Sequence, residues 1–146
     1  MLSIDSLESS VPAPTASPFV LLVDDHAPSL RQLRDVVMSF GHLCVSAESA
    51  NDALVCCDAR SPQVVVTDLS MPDLDGQGLA RRLKARYPTL PIILVTGEEL
   101  DAPRLATLRQ TFEEVLMKPV NVESFLSVLE RLMDSSADCE VDPRRP

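Results

Sequence analysis

The chain has 146 residues, 45% hydrophobic and 24% charged, enough for one domain with a substantial core. A net charge of −9 argues against nucleic acid as a partner, because phosphate contacts need a basic face. No apolar run approaches the roughly 20 residues that span a bilayer, and the first 18 residues lack the basic and apolar regions of a signal peptide. No membrane partner is expected, and the cytoplasm is the expected compartment.

Residues 1–17 are rich in Ser and Pro and read as a disordered arm. Phe19 to Val23 is a continuous apolar run, hence a buried strand, closed by Asp24-Asp25-His26. Pro28 suits the first turn of a helix, and Leu30, Leu33, Val37 and Phe40 repeat at helical spacing up to Gly41. Met38 falls on the outer side of that helix with Arg31 and Arg34, a candidate docking face. Leu43 to Ala47 is a second strand. Ser49 with Asp52 starts a second helix, whose inner stripe is Ala53, Leu54 and Cys57 and which ends before Pro62.

Val64 to Val66 are β-branched and too continuous for a half-exposed strand, so they predict a central strand buried on both faces. Asp68 sits where that strand leaves the core. A turn runs from Leu69 to Leu74, and Asp75 caps a third helix with Leu79, Leu83 and Tyr87 inward and Arg81, Arg82, Lys84 and Arg86 mostly outward. Ile92 to Val95 is a fourth strand, ending at Thr96-Gly97. Asp101 caps a fourth helix, with Pro103 in its first turn and few large apolar residues. Val115 to Met117 is a short fifth strand ending at Lys118-Pro119. Asn121 caps a last helix with Phe125, Val128, Leu129 and Leu132 on one face. Residues 135–146 read as a polar, flexible tail, leaving a folded domain over 18–134.

Strands alternating with helices predict an α/β fold: a doubly wound five-stranded parallel sheet with five helices on its two faces. Aromatics make up only 3%, so the core must be aliphatic. Cys44, Cys56 and Cys57 match no zinc spacing and read as small buried hydrophobes in a reducing compartment.

In such sheets chemistry gathers at the carboxyl ends of the strands. Four strand ends here supply Asp24-Asp25, Asp68, Thr96-Gly97 and Lys118. Three carboxylates in one crevice repel each other, and a divalent cation offsets that. Mg²⁺ suits hard oxygen ligands and leaves positions open for phosphate. A carboxylate can attack phosphorus to form an aspartyl-phosphate, and a lysine, a hydroxyl and backbone donors can steady the developing charge. The duller reading of Asp24-Asp25, a cap on the first helix, accounts for one acid but not two in a row after a buried strand.

Taken together, Val23-Asp24-Asp25, Asp68-Leu69-Ser70-Met71-Pro72-Asp73-Leu74-Asp75-Gly76, Val95-Thr96-Gly97 and Lys118-Pro119 resemble the receiver domain of two-component response regulators. The resemblance spans about Pro18 to Met133. It implies a flavodoxin-like topology and Mg²⁺-dependent phosphoryl transfer from a histidine kinase or histidine phosphotransfer protein, switching affinity for a downstream protein. Asp68 resembles the phosphoacceptor, Asp25 the direct Mg²⁺ ligand, and Asp24 the second acidic residue. Ser70 would lend its backbone carbonyl to the metal. Thr96 resembles the switch hydroxyl and Lys118 the lysine that answers the phosphate. The resemblance also implies a cis bond before Pro119, and an influence of Ser70 and Glu98 on phosphoryl lifetime. It further implies a signalling switch rather than a metabolic enzyme, of the stand-alone type.

Two positions depart from the pattern. Val115 stands where the family usually has Tyr or Phe, and Thr111 where a Gly commonly precedes the fifth strand. They bear on output, and Val115 keeps open an interaction module that works without phosphorylation. A phosphohydrolase of the haloacid dehalogenase type would need an Asp two residues past the nucleophile, where this chain has Ser70.

Overall fold

Three consecutive valines and Thr67 build the centre of the molecule. β3 (Val64–Thr67) is buried along its whole length, between β1 (Phe19–Val23) and β4 (Ile92–Thr96), each also wholly buried. β2 (Leu43–Ala47) and β5 (Glu114–Met117) form the edges and are partly exposed. The computed structural model describes residues 18–141, with side chains as far as 134. The expected arm at 1–17 and the last five residues of the chain lie outside the described residues.

All four strand pairings are parallel, in the order β2-β1-β3-β4-β5. The chain therefore steps outward from β1 to β2, returns past β1 to β3, and continues in the other direction. The reversal opens a crevice at the carboxyl ends of β1 and β3. Five helices alternate with the strands: α1 (Ala27–Ser39), α2 (Ala50–Ala59), α3 (Gly76–Arg86), α4 (Ala102–Thr111) and α5 (Val122–Val141).

The two-residue period of the strands divides the core. Val20, Leu22, Val64, Val66, Ile93 and Val95 meet Leu30 and Val37 of α1 and Phe125, Leu126, Leu129 and Leu132 of α5. Leu21, Val23, Val65, Ile92 and Leu94 meet α2, α3 and α4. On that second face α3 contributes Leu79, Ala80 and Leu83, whereas α2 buries Ala50, Ala53 and Cys57 fully and packs Leu54 and Cys56 partly against them. Tyr87, at the end of α3, reaches across to α2; its hydroxyl lies 3.2 Å from both the Cys57 carbonyl and the Asp58 carboxylate.

Six expected boundaries or faces shift. Phe40 is not part of the buried stripe of α1. It is the residue on which the helix ends, and it is 56% exposed, because Gly41 at φ +89° turns the chain away to β2. Thr67 and Thr96 extend their strands by one residue and Glu114 starts β5. α5 continues through Val141 rather than stopping at a polar tail after Asp134, since no Gly or Pro interrupts it before Pro143. Leu126 joins its inner face. Met38 is 55% exposed, as its place on the outer side of α1 requires.

Candidate functional site

The parallel ladder carries each site residue one step past its strand. Asp24 N–H donates to the Ala47 carbonyl (3.1 Å), Asp68 N–H to Val23 (3.0 Å) and Lys118 N–H to Thr96 (2.8 Å). Register places Val23 beside Thr67, so Asp24 and Asp68 leave the sheet side by side. Asp24, Asp25 and Asp68 each offer a carboxylate oxygen within 4.8 Å of the other two. Asp24 is buried, Asp68 half-buried and Asp25 exposed, so the cluster opens to solvent on one side.

Lys118 completes it. Its Nζ lies 3.2 Å from Asp24 Oδ2 and 3.4 Å from Asp68 Oδ1. Burial draws the ammonium toward a lower pKa, but the two carboxylates outweigh it, and the pKa ends above the ordinary lysine value. Burial is also the largest influence on Asp68 and holds its carboxyl above the ordinary range; Lys118 pulls it down, and Asp24 pushes it further up. Asp24 is held in turn by the His26 N–H, which donates to Oδ1 at 3.0 Å. The Lys118–Pro119 bond is cis.

The family model for the response regulator receiver domain matches residues 20–130. The chain belongs to that family. It is 36% identical over 113 residues to the DNA-binding transcriptional regulator NtrC of Proteus hauseri, covering 77% of this chain and 24% of that protein. It is 32% identical over 110 residues to the sensor histidine kinase RcsC of Salmonella typhi, covering 75% of this chain and 12% of the kinase. The chain thus spans about a quarter of the first relative and about an eighth of the second. The crystal structure of the signal receiver domain of an HD domain-containing protein from Pseudomonas fluorescens Pf-5 superposes with a TM-score of 0.76. It is 25% identical, with 83% of this chain and 98% of that one covered. The receiver domain of NtrX from Brucella abortus gives 0.73 at 25% identity, covering 79% and 98%.

In this receiver domain the mouth of the crevice is tied across. Ser70, in the loop after β3, donates its hydroxyl hydrogen bond to the Glu98 carboxylate in the loop after β4. The Glu98 N–H donates to Thr96 Oγ1 at 3.1 Å, so the buried Thr96 hydroxyl accepts a hydrogen bond from its own loop. Gly97 lies beside the Lys118 side chain, and a Cβ there would make ordinary 3.8 Å contacts.

Three residues gain roles that local sequence did not disclose. The exposed ring of His26 caps α1 by accepting from Ser29 N–H at 3.4 Å. Gly76 passes so close to the loop after β3 that a Cβ there would overlap the Asp68 carbonyl oxygen and sit 3.1 Å from its carbon. Asp73 reaches α2, where its carboxylate accepts from Ala50 N–H (3.2 Å) and Asn51 N–H (2.9 Å). These backbone donors hold its carboxyl below the ordinary aspartate value. No pattern in the sequence marks a partner 22 residues away.

A cleft of about 580 Å³ lies elsewhere, beside the turn that enters β5, lined by Arg81, Lys84 and Arg109 among others. Its Lys84 pairs with Glu113 at 2.6 Å, and Arg109 sits in the last turn of α4, where a cation complements the helix dipole. Burial pushes Cys57 up to about 11 and raises Cys44, so neither is a ready thiolate at neutral pH.

Proposed function

We propose that Asp68 takes a phosphoryl group from the phosphohistidine of a histidine kinase or histidine phosphotransfer protein, and that the loaded domain changes its affinity for a downstream protein. A carboxylate oxygen of Asp68 attacks phosphorus, the P–O bond forms as the P–N bond breaks, and the histidine leaves with the electron pair of that bond. The observation that carries this reading is the convergence of Asp24, Asp25 and Asp68 on one point, with Lys118 Nζ between Asp24 and Asp68. Three clustered carboxylate oxygens open to solvent fit a hard divalent cation, and Mg²⁺ would be held by Asp24, Asp25, Asp68 and the Ser70 backbone carbonyl. When bound, Mg²⁺ would supply charge neutralisation at the phosphoryl oxygens. Lys118 then exchanges a carboxylate partner for the new phosphoryl group, and Thr96, released from the Glu98 N–H, turns its hydroxyl toward it.

By role this is a signalling switch, working in the cytoplasm, where free thiols at Cys44, Cys56 and Cys57 are at home. Met38, exposed on α1 near Arg31 and Arg34, supports that face as the place where the donor docks. Incubation with acetyl phosphate and Mg²⁺ followed by mass spectrometry tests the reading. The wild type should gain one phosphoryl group and Asp68→Asn none. Equal uptake by both proteins sinks it. A second reading, partner binding without phosphorylation, draws on Val115 in place of the usual aromatic; it is favoured if neither protein gains mass. Turnover of simple phosphomonoesters would point instead to a phosphohydrolase, against which Ser70 counts.

A further inference from the structure

The first turn of a helix has N–H groups that the helix itself cannot satisfy. In α2 these belong to Ala50, Asn51 and Asp52. The Ser49 hydroxyl accepts from Asp52 at 3.0 Å. The other two are taken by the Asp73 carboxylate, which arrives from the loop between β3 and α3. Asp73 also accepts from Leu74 N–H at 3.0 Å, so its orientation is fixed by its own loop. The start of α2 is therefore shared between one residue of its own segment and one residue of the phosphoacceptor loop.

The share matters because the fully buried residues of α2 are small, and its polar ties to α3, Tyr87 with Cys57 and Arg86 with Asp58, lie at its other end. Its fully buried residues are Ala50, Ala53 and Cys57, all small; Leu54 and Cys56 are only partly buried, and Val55 is 61% exposed. Compared with α3 or α5, it removes little apolar surface from water. The loop has little slack. Four residues separate Asp68 from Asp73, and the Gly76 N–H donates back to the Leu69 carbonyl at 2.7 Å. A shift of the backbone at Ser70 has few bonds over which to dissipate before it reaches Asp73.

We propose that Asp73 is a positioning residue that couples the phosphoacceptor loop to α2, so that what occupies the Asp68 site is read out in the strength of the first turn of α2. The inference rests on the phosphoryl-acceptor reading above. It adds an output element on the side of the molecule that carries α2, where the sequence pattern offers no aromatic relay.

Hydrogen exchange of the Ala50 and Asn51 amides, in the full chain, tests it. Wild type, Asp73→Ala and Asp73→Asn are compared in EDTA, in Mg²⁺, and in Mg²⁺ with acetyl phosphate. Mass spectrometry records phosphorylation in the same samples. At rest Asp73→Ala should exchange roughly five- to tenfold faster at both amides, and Asp73→Asn, which keeps one acceptor oxygen, should fall between. The first turn of α4, capped by Asp101, is the internal control. If it accelerates equally, the effect of the Ala variant is global, and the Asn variant decides. In the wild type, phosphorylation should change α2 amide protection by about twofold or more, and the change should vanish in Asp73→Ala. Unaltered α2 amides in a phosphorylated wild type overturn the proposal, as does equal exchange in all three proteins at rest. If no phosphoryl group is taken up, the acceptor reading fails, and the Mg²⁺ arm decides the coupling. An Mg²⁺-induced change lost in Asp73→Ala supports it; no change overturns it.

Discussion

At Gly76, helix propensity and local sterics point in opposite directions. Alanine in a helix is favoured over glycine by up to about 1 kcal/mol. Here the added methyl would overlap the Asp68 carbonyl oxygen and crowd the Leu69 Cα at 3.1 Å, both backbone atoms that cannot rotate away. Overpacking of that kind costs about 1–3 kcal/mol, so Gly76→Ala should destabilise despite its propensity, by about 2 kcal/mol in a denaturant melt. A stabilised variant would mean that the loop yields freely. Asp68 gives a signed pH dependence. Its carboxyl is raised in the folded state above the model-compound value of 3.8, first by burial, so ionising it opposes folding. As pH rises from 3.8 through the raised value, stability is lost, and above that value the whole cost is present. Asp68→Asn removes the cost. In EDTA it should melt higher than wild type at neutral pH, with the advantage fading as pH falls and gone below 3.8. A pH-independent difference between the two proteins contradicts this.

Among the elements, the caps were the most legible features of the sequence. Ser49, Asp75, Asp101 and Asn121 all bond the N–H three residues on, because an Ncap acts within its own turn and so leaves a local signature. The strand ends were legible for a related reason: a buried apolar run that stops at a carboxylate fixes both the element and its exit. Asp73 was not legible, since its partners belong to another element. Phe40 misled because the helical spacing runs one residue past Ser39, where α1 ends just before Gly41 turns the chain. The same distinction shapes the output. Val115 is buried and brings no ring to swing, so the response should concentrate in the loop after β4. There Thr96 and Glu98 are bonded to each other and Glu98 to Ser70. Backbone NMR shifts on phosphorylation should be largest over residues 97–101 and at the start of α2. A response dominated by α1 refutes this routing.

For the whole molecule, the reversal of strand order brings Asp68 to the adjacent Asp24-Asp25 pair, from which it lies far away in the unfolded chain. A cation that binds only the gathered form stabilises by RT ln(1 + [Mg²⁺]/Kd), about 1.4 kcal/mol at tenfold excess over Kd. In a domain of this size that is an upward Tm shift of about 4 °C. Lys118→Ala should retain most of the shift and Asp68→Asn should lose much of it, because in the proposed function the lysine meets the phosphoryl group and not the metal. A wild type that melts identically in EDTA and Mg²⁺ contradicts the metal site. The reach of Tyr87 from α3 to α2 makes the protein its own optical instrument. The chain has one tyrosine and no tryptophan, so ultraviolet-excited emission comes from a single phenol. That phenol sits against the Asp58 carboxylate, a proton acceptor that dims an excited tyrosine. When α2 loosens, the contact lengthens and the emission should brighten. Stopped-flow mixing with acetyl phosphate would then time the movement of α2 without a label, and Asp58→Asn, which weakens the quencher, should flatten the trace.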